Sequence, residues 1–373
     1  MLLLSNEDVA QVLTMEGCVE VLEQAYTDLA SHRAINNNRR DTLMPTSDPE
    51  GLFRYKSMTG GIPSMGSYAV RVLPDWVPLQ LLEDGQRRFM GKTPRPPSGL
   101  HLGFILLFDS DEFRLKAIIN DGHLNRMRVA GTSGVGAKYL ARKNASVVGL
   151  IGAGWQAEAQ LRALSVVRRL KKVRVYSPTR TRREGFAARM SEALGIDVEA
   201  VDEARKVARD ADIINTATTS VEPVFSGEWV EPGMYLTSIA NCEFDEETFV
   251  RSDLIVSSNL DPVEVNAIGG GAGETLWALD HRMDYVPLRR YYGENAEEKP
   301  TPFEAVRDRI HVLTDILSGK QEGRTMADQT TLFMKGVGVG IEFAAAGNKA
   351  FEEAVRQGVG RELPDDWFTQ SVR

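Results

Sequence analysis

Apolar residues recur along this chain at two periods, and the change from one to the other marks its organisation. Val147 to Ile151 is a short continuous apolar run, which reads as a buried parallel strand. Gly152-Ala153-Gly154 turns the chain, and from Trp155 the period becomes helical, with Ala157, Leu161 and Leu164 on one face. Upstream, Leu2 to Leu4 predicts an edge strand. Ser5 or Asn6 caps a short helix ending near Leu13, and Thr14 opens a longer one with Cys18, Val19, Leu22, Ala25, Tyr26 and Leu29 on its apolar face. Tyr68 to Val72 alternates like a strand, and residues 76–97 read as an irregular polar excursion. Phe104–Phe108 and Leu115–Ile119 flank Asp109-Ser110-Asp111 as a β-hairpin.

A helix over His123–Arg142 leads into the strand at Val147. Beyond it strands and helices alternate. Strands are predicted at Val173–Tyr176, Val198–Val201, Ala211–Thr216, Tyr235–Ile239 and Leu254–Ser257, which makes about six parallel strands with the first. Residues 261–302 break the rhythm. A helix is then expected over Phe303–Leu317, and a last apolar helix over Thr330–Ala350 that contains Gly336, Gly338 and Gly340. Residues after Gly358 read as a solvated tail.

The turn after Ile151 is G-x-G-x-x-A, with a strand before it and a helix after it, the context a dinucleotide site requires. Gly152 permits the tight turn, Gly154 leaves room for a pyrophosphate, and small Ala157 lets the helix lie against the strand. The free N–H groups at the helix start favour an anion.

Composition narrows the rest. With 42% hydrophobic and 26% charged residues the chain reads as an ordinary soluble protein of two domains. A net charge of −8 without a basic run argues against nucleic acid or an anionic membrane as partner. No stretch is apolar enough for a membrane span, and the start is too short and acidic for a signal peptide. Cys18 and Cys242 alone build no disulfide framework or zinc motif, and a cytoplasmic location is expected. His32, His101, His123, His281 and His311 are scattered at no metal-ligand spacing.

Several stretches together resemble the ornithine cyclodeaminase/mu-crystallin family. They are Asp121-Gly122, Arg128 with the small-residue helix to Arg142, Gly152–Ala157, Ala211–Thr218, Leu317–Lys320 with Gly323-Arg324, and Thr331–Phe333 with Gly338. The resemblance implies an α/β fold: a Rossmann doubly wound parallel sheet plus a discontinuous α+β domain for substrate and dimerisation. That α+β domain would span residues 1–128, completed by 329–373. The Rossmann domain would span 129–328, with an inserted segment at 261–302, and the protein would be a homodimer. The family includes cyclodeaminases, alanine dehydrogenase, ketimine reductases and opine-type dehydrogenases, so membership alone does not settle the reaction.

The resemblance also places candidate residues. Arg128 matches the arginine that holds the substrate carboxylate, and Arg71 and Arg40 match further basic contacts; Lys56 is a nearby candidate. A guanidinium grips a carboxylate through two parallel hydrogen bonds. Where cyclodeaminases carry an aspartate, this chain has Cys242, with Glu243 and Asp245 at shifted positions. A neutral thiol is a poor base. The expected activity is therefore an NAD(P)-dependent oxidoreductase working at the C–N centre of a carboxylate-bearing imine or amino acid. The alternatives are a cyclodeaminase-type ammonia lyase using tightly bound NAD, and a non-catalytic cofactor-dependent binding protein.

NADP is expected over NAD. About 20 residues past the glycines an NAD enzyme usually carries an acid for the ribose 2′-OH, whereas here Ser177 stands there. Thr179, Arg180, Thr181, Arg182 and Arg183 follow, offering donors and positive charge to a 2′-phosphate. The cofactor set is completed by Gly152, Ala153, Gly154, Trp155 and Gln156 at the turn, and by Thr216, Ala217, Thr218, Ile239 and Gly338. The 261–302 segment, with Trp277, Tyr285, Tyr291 and Tyr292, is expected to fold over the cofactor cleft as a lid.

Overall fold

The structure is a computed structural model that describes residues 1–48, 50–81, 87–89, 98–267, 274–276 and 302–372. Two sheets organise it. One has eight strands, all parallel, in the order Asp197–Ala200, Lys172–Tyr176, Val147–Ile151, Ile213–Thr216, Tyr235–Ser238, Thr331–Met334, Leu254–Ser257 and Ile310–Val312. The order reverses between Val147–Ile151 and Ile213–Thr216, so a switch point lies beside the glycine turn, where open α/β sheets bind ligands. This is the doubly wound sheet that the strand–helix alternation predicts.

Two of its strands were expected as helix. Thr331–Met334 is buried on both faces, and such a run has no period that separates a strand from a buried helix. The last helix starts only at Gly340, after Gly336 and Gly338 have turned the chain. Gly340 lies against the strand Gly51–Ile62 so closely that a Cβ on it would sit 2.0 Å from the Thr59 carbonyl oxygen. Ile310–Val312 likewise interrupts the helix expected over Phe303–Leu317, which is reduced to Leu313–Ser318 behind a 3-10 turn.

The second sheet is mixed, and its main path runs Glu274–Leu276, Val263–Ala267, Arg39–Pro45, Gly51–Ile62, Ser67–Leu81, Phe104–Asp109, Arg114–Asn120, Leu2–Leu4 and Arg361–Glu362. The expected hairpin forms, and the tail after Gly358 returns to pair with Leu2 and Leu3 rather than staying free. The strand Ser67–Leu81 runs well past Trp76, correcting the start of the irregular excursion. Pro74 and Pro78 lie in this strand opposite Tyr55 and Gly51 of the strand Gly51–Ile62. The 261–302 segment opens by adding Val263–Ala267 to Arg39–Leu43 at this sheet's side. Its Trp277, Tyr285, Tyr291 and Tyr292 lie outside the described residues, as does most of the expected lid.

Helices α1 (Asn6–Val12), α2 (Met15–Ala30), α3 (Asp121–Leu140), α4 (Trp155–Val167), α5 (Arg180–Leu194) and α6 (Gly340–Gln357) complete the frame. Ser5 caps α1 in a capping box and Thr14 caps α2. One continuous apolar core joins α1, α2, α3 and α6 to both sheets. On the opposite side of the parallel sheet Phe225, Phe244, Phe249 and Phe303 meet edge to face. No helix among the described residues is long and apolar enough to cross a membrane.

Candidate active site

The glycine turn is built for a close neighbour. Gly152 has φ +119°, and a Cβ there would stand 2.2 Å from the Ala217 carbonyl oxygen, so only glycine fits between the adjacent strand ends. Gly154 is the N-cap of α4, and a Cβ on it would meet nothing within 4 Å. The space above it is open, and the first N–H groups of α4 face that space without a side-chain cap. These are the features a dinucleotide pyrophosphate needs. Trp155 and Gln156 tie the turn to α3: Arg126 stacks on the Trp155 ring at 4.8 Å, and Gln156 Nε2 donates to the Arg126 carbonyl at 3.4 Å.

Next to the turn a cavity of about 380 Å³ is lined by Ala153, Gly154, Thr181, Arg182 and Arg189. Arg182 and Arg189 form no ion pair among the described residues. Arg180 instead pairs with Glu184 at 2.7 Å along the helix, and Arg183 donates to the Ser177 and Pro178 carbonyls. Ser177 is buried and Thr179 is the exposed N-cap of α5. Of the basic residues after the second strand, the structure thus turns Arg182 toward the glycines and engages Arg180 and Arg183 elsewhere. Arg189, two turns further along α5, escaped sequence reading because nothing local marks it.

Thr216, Ala217, Thr218 and Ile239 sit at the carboxyl ends of the two neighbouring strands. Fully buried Glu243 staples these ends together: it accepts from Thr218 N and Oγ1, both at 2.7 Å, from Ile239 N at 3.1 Å and from Ala240 N at 3.0 Å. Burial still raises its pKa, against the pull of those donors. Asp245, expected as a catalytic acid, is placed elsewhere. It caps Glu246–Val250, accepting from Thr248 N at 2.9 Å and Thr248 Oγ1 at 2.6 Å, and it also takes the Gly227 N–H. Asp245→Ala is accordingly expected to cost about 1–2 kcal/mol of stability by loss of the cap. It should leave kcat/KM unchanged, as thermal melting beside steady-state kinetics will show. Cys242 Sγ lies 3.8 Å from the Ser220 carbonyl.

The basic cluster lies where the mixed sheet meets α3 and α6. Buried Arg71 binds Asp121 through Nε at 2.7 Å and Nη2 at 2.5 Å, while among the described residues its Nη1 meets the Met58 thioether, at 3.6 Å. Arg128 on α3 donates to Asn125 Oδ1 and, at 2.7 Å, to Glu342. Both guanidinium carbons lie 4.7 Å from the centroid of the Phe343 ring, and so no more than twice that distance apart. Burial pushes the Arg71 pKa below its ordinary value; Asp121 opposes this, and the charges of Arg128 and Arg39 add to it. Glu342, 1% exposed, also accepts from Tyr26 Oη at 2.6 Å and Thr132 Oγ1 at 2.5 Å.

Strand alternation corrects one assignment. Arg40 points to the other face of the sheet, two-thirds exposed, and pairs with Glu264 at 2.9 Å. Its neighbour Arg39 faces the cluster, held by Asp41 at 2.7 and 2.6 Å. Gly338, expected at the cofactor, lies against Arg39: with φ +84° it would put a Cβ 2.8 Å from the Arg39 Cβ. Lys56 shares the inward face with Met58, is buried, and pairs with Asp75. Lys335, which follows the strand Thr331–Met334 directly, donates to Gln160 Oε1 at 3.3 Å. Sequence reading missed Arg39, Lys335, Glu342 and Phe343. The last three stand in a stretch taken as one long helix; a lysine closing the apolar run Leu332–Met334 was the available signal. Among the described residues no group of His, Cys, Asp and Glu could hold a metal.

The chain is similar to known proteins along nearly its whole length. Δ1-pyrroline-2-carboxylate reductase of Bacillus cereus is 27% identical over 366 residues, 97% of this chain and 99% of that protein. Iminosuccinate reductase of Paracoccus denitrificans is 24% identical, over 97% of this chain and 99% of its own. Among solved structures, Δ1-pyrroline-2-carboxylate reductase of Thermococcus litoralis, in complex with NADH and L-proline, superimposes with a TM-score of 0.71. It is 29% identical, covering 97% of this chain and all of that one. The profile of the ornithine cyclodeaminase/mu-crystallin family matches residues 91–358, and the chain belongs to that family.

Proposed function

We propose that the protein is an NAD(P)H-dependent reductase of imines that carry a carboxylate, of the Δ1-pyrroline-2-carboxylate class. The observation that carries this reading is the pair of guanidinium groups, Arg71 and Arg128, set around one aromatic ring with Arg71 Nη1 left on a thioether. A thioether is a weak acceptor, so a substrate carboxylate gains where it replaces one. Arg39 adds positive potential from the next strand but one, and Lys56, held by Asp75, shapes the wall. The relatives that reduce cyclic or acyclic imino acids support the substrate class. Cyclodeamination is disfavoured because Cys242 stands where an acid is needed, Glu243 is occupied by four donors and Asp245 is a helix cap. The experiment is a comparison of Δ1-pyrroline-2-carboxylate with 1-pyrroline, which lacks the carboxylate. The reading requires strong preference for the former, and equal turnover of both would refute it.

The cofactor would lie with its pyrophosphate on the N-terminus of α4 and its adenosine end toward Arg182. Bound there, the reduced nicotinamide supplies the electron pair and one hydrogen. The chain's residues bind its phosphates, orient the carboxylate and exclude water. NADPH is the preferred form on this reading, because the cavity beside Gly154 carries two cations without carboxylate partners and no acid that would repel a 2′-phosphate. Arg182→Ala should weaken NADPH binding by about tenfold, the worth of one charge-assisted contact, and leave NADH binding unaltered in calorimetric titration. Arg180→Ala should change neither, since Arg180 is paired with Glu184. A division into an α+β domain of residues 1–128 with 329–373 and a Rossmann domain of 129–328 follows the two sheets. The exceptions are Val263–Ala267 and Glu274–Leu276, which join the mixed sheet, and Thr331–Met334, which is a strand of the parallel sheet. Assembly as a homodimer is part of the same reading, and light scattering at micromolar concentration checks it.

A further inference from the structure

Lys335 holds neither the carboxylate nor the cofactor phosphates, yet its surroundings are closely ordered. It stands at the carboxyl edge of the parallel sheet, directly after the strand Thr331–Met334. The backbone beyond it is locked: Gly336 N donates to Ser258 Oγ at 3.0 Å, and a Cβ on Gly336 would stand 2.1 Å from the Asn259 carbonyl oxygen. The ammonium forms one hydrogen bond, to Gln160 Oε1, and no ion pair among the described residues. Gln160 Oε1 is also held by Asn215 Nδ2 at 3.1 Å, which fixes the orientation of that amide. Gln160 and Asn215 are fully buried, and Gln160 Nε2 and Asn215 Oδ1 have no partner. A buried set of donors and an acceptor, partly unmatched, beside a lysine without a counter-ion points to a polar ligand at this spot.

The charges that act on Lys335 come from three other elements: Glu243 from the loop after Tyr235–Ser238, Glu342 from α6 and Arg128 from α3. It therefore lies within electrostatic reach both of residues assigned to the cofactor side and of those assigned to the carboxylate. Burial drives its pKa down to about 7, Arg128 adds to that, and Glu243 and Glu342 oppose it. Proton transfer near neutral pH is most effective from a group that titrates there.

We infer that Lys335 is the proton donor of the reaction, delivering a proton from Nζ to the substrate nitrogen while Arg71 and Arg128 hold the carboxylate. This rests on the imine-reductase reading above. The balance is complete. The C=N double bond becomes a single bond; its carbon receives a hydrogen with an electron pair from a reduced nicotinamide, and its nitrogen receives the Nζ proton. Neutral Lys335 is then reprotonated from water. Gln160 acts as a positioning residue, aiming Nζ through its fixed Oε1.

The test combines kinetics with a direct titration. In the wild type, kcat for imine reduction should fall as pH rises through about 7, because the donating form is lost, and the reverse oxidation should rise. Lys335→Met should lower kcat about 100-fold or more, in the range of a lost general acid, with cofactor Kd and substrate KM little changed. Lys335→Arg should be as slow, since arginine does not release its proton. Gln160→Glu should shift the limb to higher pH, by placing a carboxylate on the ammonium. Independently of activity, ¹³C-methylated lysine NMR of the wild type should show one resonance titrating near neutrality that Lys335→Arg deletes. If Lys335→Met does not fold, that resonance and the Gln160→Glu shift decide the matter. A folded Lys335→Met with wild-type kcat, or a Lys335 resonance titrating like a surface lysine, would overturn the assignment while leaving the reductase reading intact. A wild type that binds cofactor but reduces no imine would overturn both.

Discussion

Replacing Arg128 by alanine is expected to lower kcat/KM for a carboxylate-bearing imine by about 100- to 1,000-fold, with the Kd of the cofactor close to wild type. Truncating one member of a buried, hydrogen-bonded charge pair costs about 2–5 kcal/mol, and the substrate carboxylate would be the partner lost. The variant also strips Glu342 of its cation. Tyr26 and Thr132 still donate to that carboxylate, so the fold should survive with a lower melting temperature rather than collapse. Arg128→Lys keeps the charge but not the planar fork, and should fall between the two. The sharper control uses the substrate amide in place of the acid. The wild type should discriminate strongly between acid and amide, and Arg128→Ala should not. A folded variant with unchanged kcat/KM would remove Arg128 from the site.

Gly154→Asp should separate folding from cofactor binding more cleanly than any other change. The position has ordinary extended backbone and empty space where a side chain would go. Aspartate is also a favourable N-cap and suits the positive end of a helix, so the melting temperature should hold or rise. The carboxylate would nevertheless occupy the place assigned to the pyrophosphate. A like charge about 4 Å away costs about 4 kcal/mol near a protein surface, which corresponds to a loss of affinity of roughly 1,000-fold. Calorimetric titration with NADPH and NADH reads this directly. Undiminished binding would mean that the dinucleotide does not lie on the N-terminus of α4.

The parts of this picture legible in the sequence are those encoded locally. A strand, a glycine turn and a helix follow one another within twenty residues, and the turn works through backbone shape alone, so Gly152 and Gly154 announce themselves. The arginine pair was legible only through resemblance. Arg39 and Arg40 are neighbours of identical chemistry, and the register of a strand, which sends one inward and the other to solvent, depends on its partners. Asp245 looked available for chemistry because a cap and a catalytic acid have the same letter; its donors, Gly227 and Thr248, decide its role. Glu342 was hidden by burial, and half-buried Lys335 by the run it follows. Thr331–Met334 is buried on both faces, and period alone does not separate so short a buried run from helix, so both residues fell inside one supposed helix. The charges that define the site come from elements more than 200 residues apart, as the Arg128–Glu342 and Thr132–Glu342 bonds show, and no local pattern reports such pairs.

The central claim is that this chain reduces a carboxylate-bearing imine at the expense of a nicotinamide. The most direct measurement follows the absorbance of the reduced cofactor, together with ammonia and amino acid, when purified protein is mixed with Δ1-pyrroline-2-carboxylate and, separately, with ornithine. The account predicts stoichiometric loss of NADPH and formation of proline from the imine, with nothing released from ornithine. Ammonia and proline from ornithine, with no net change in the cofactor, would contradict it.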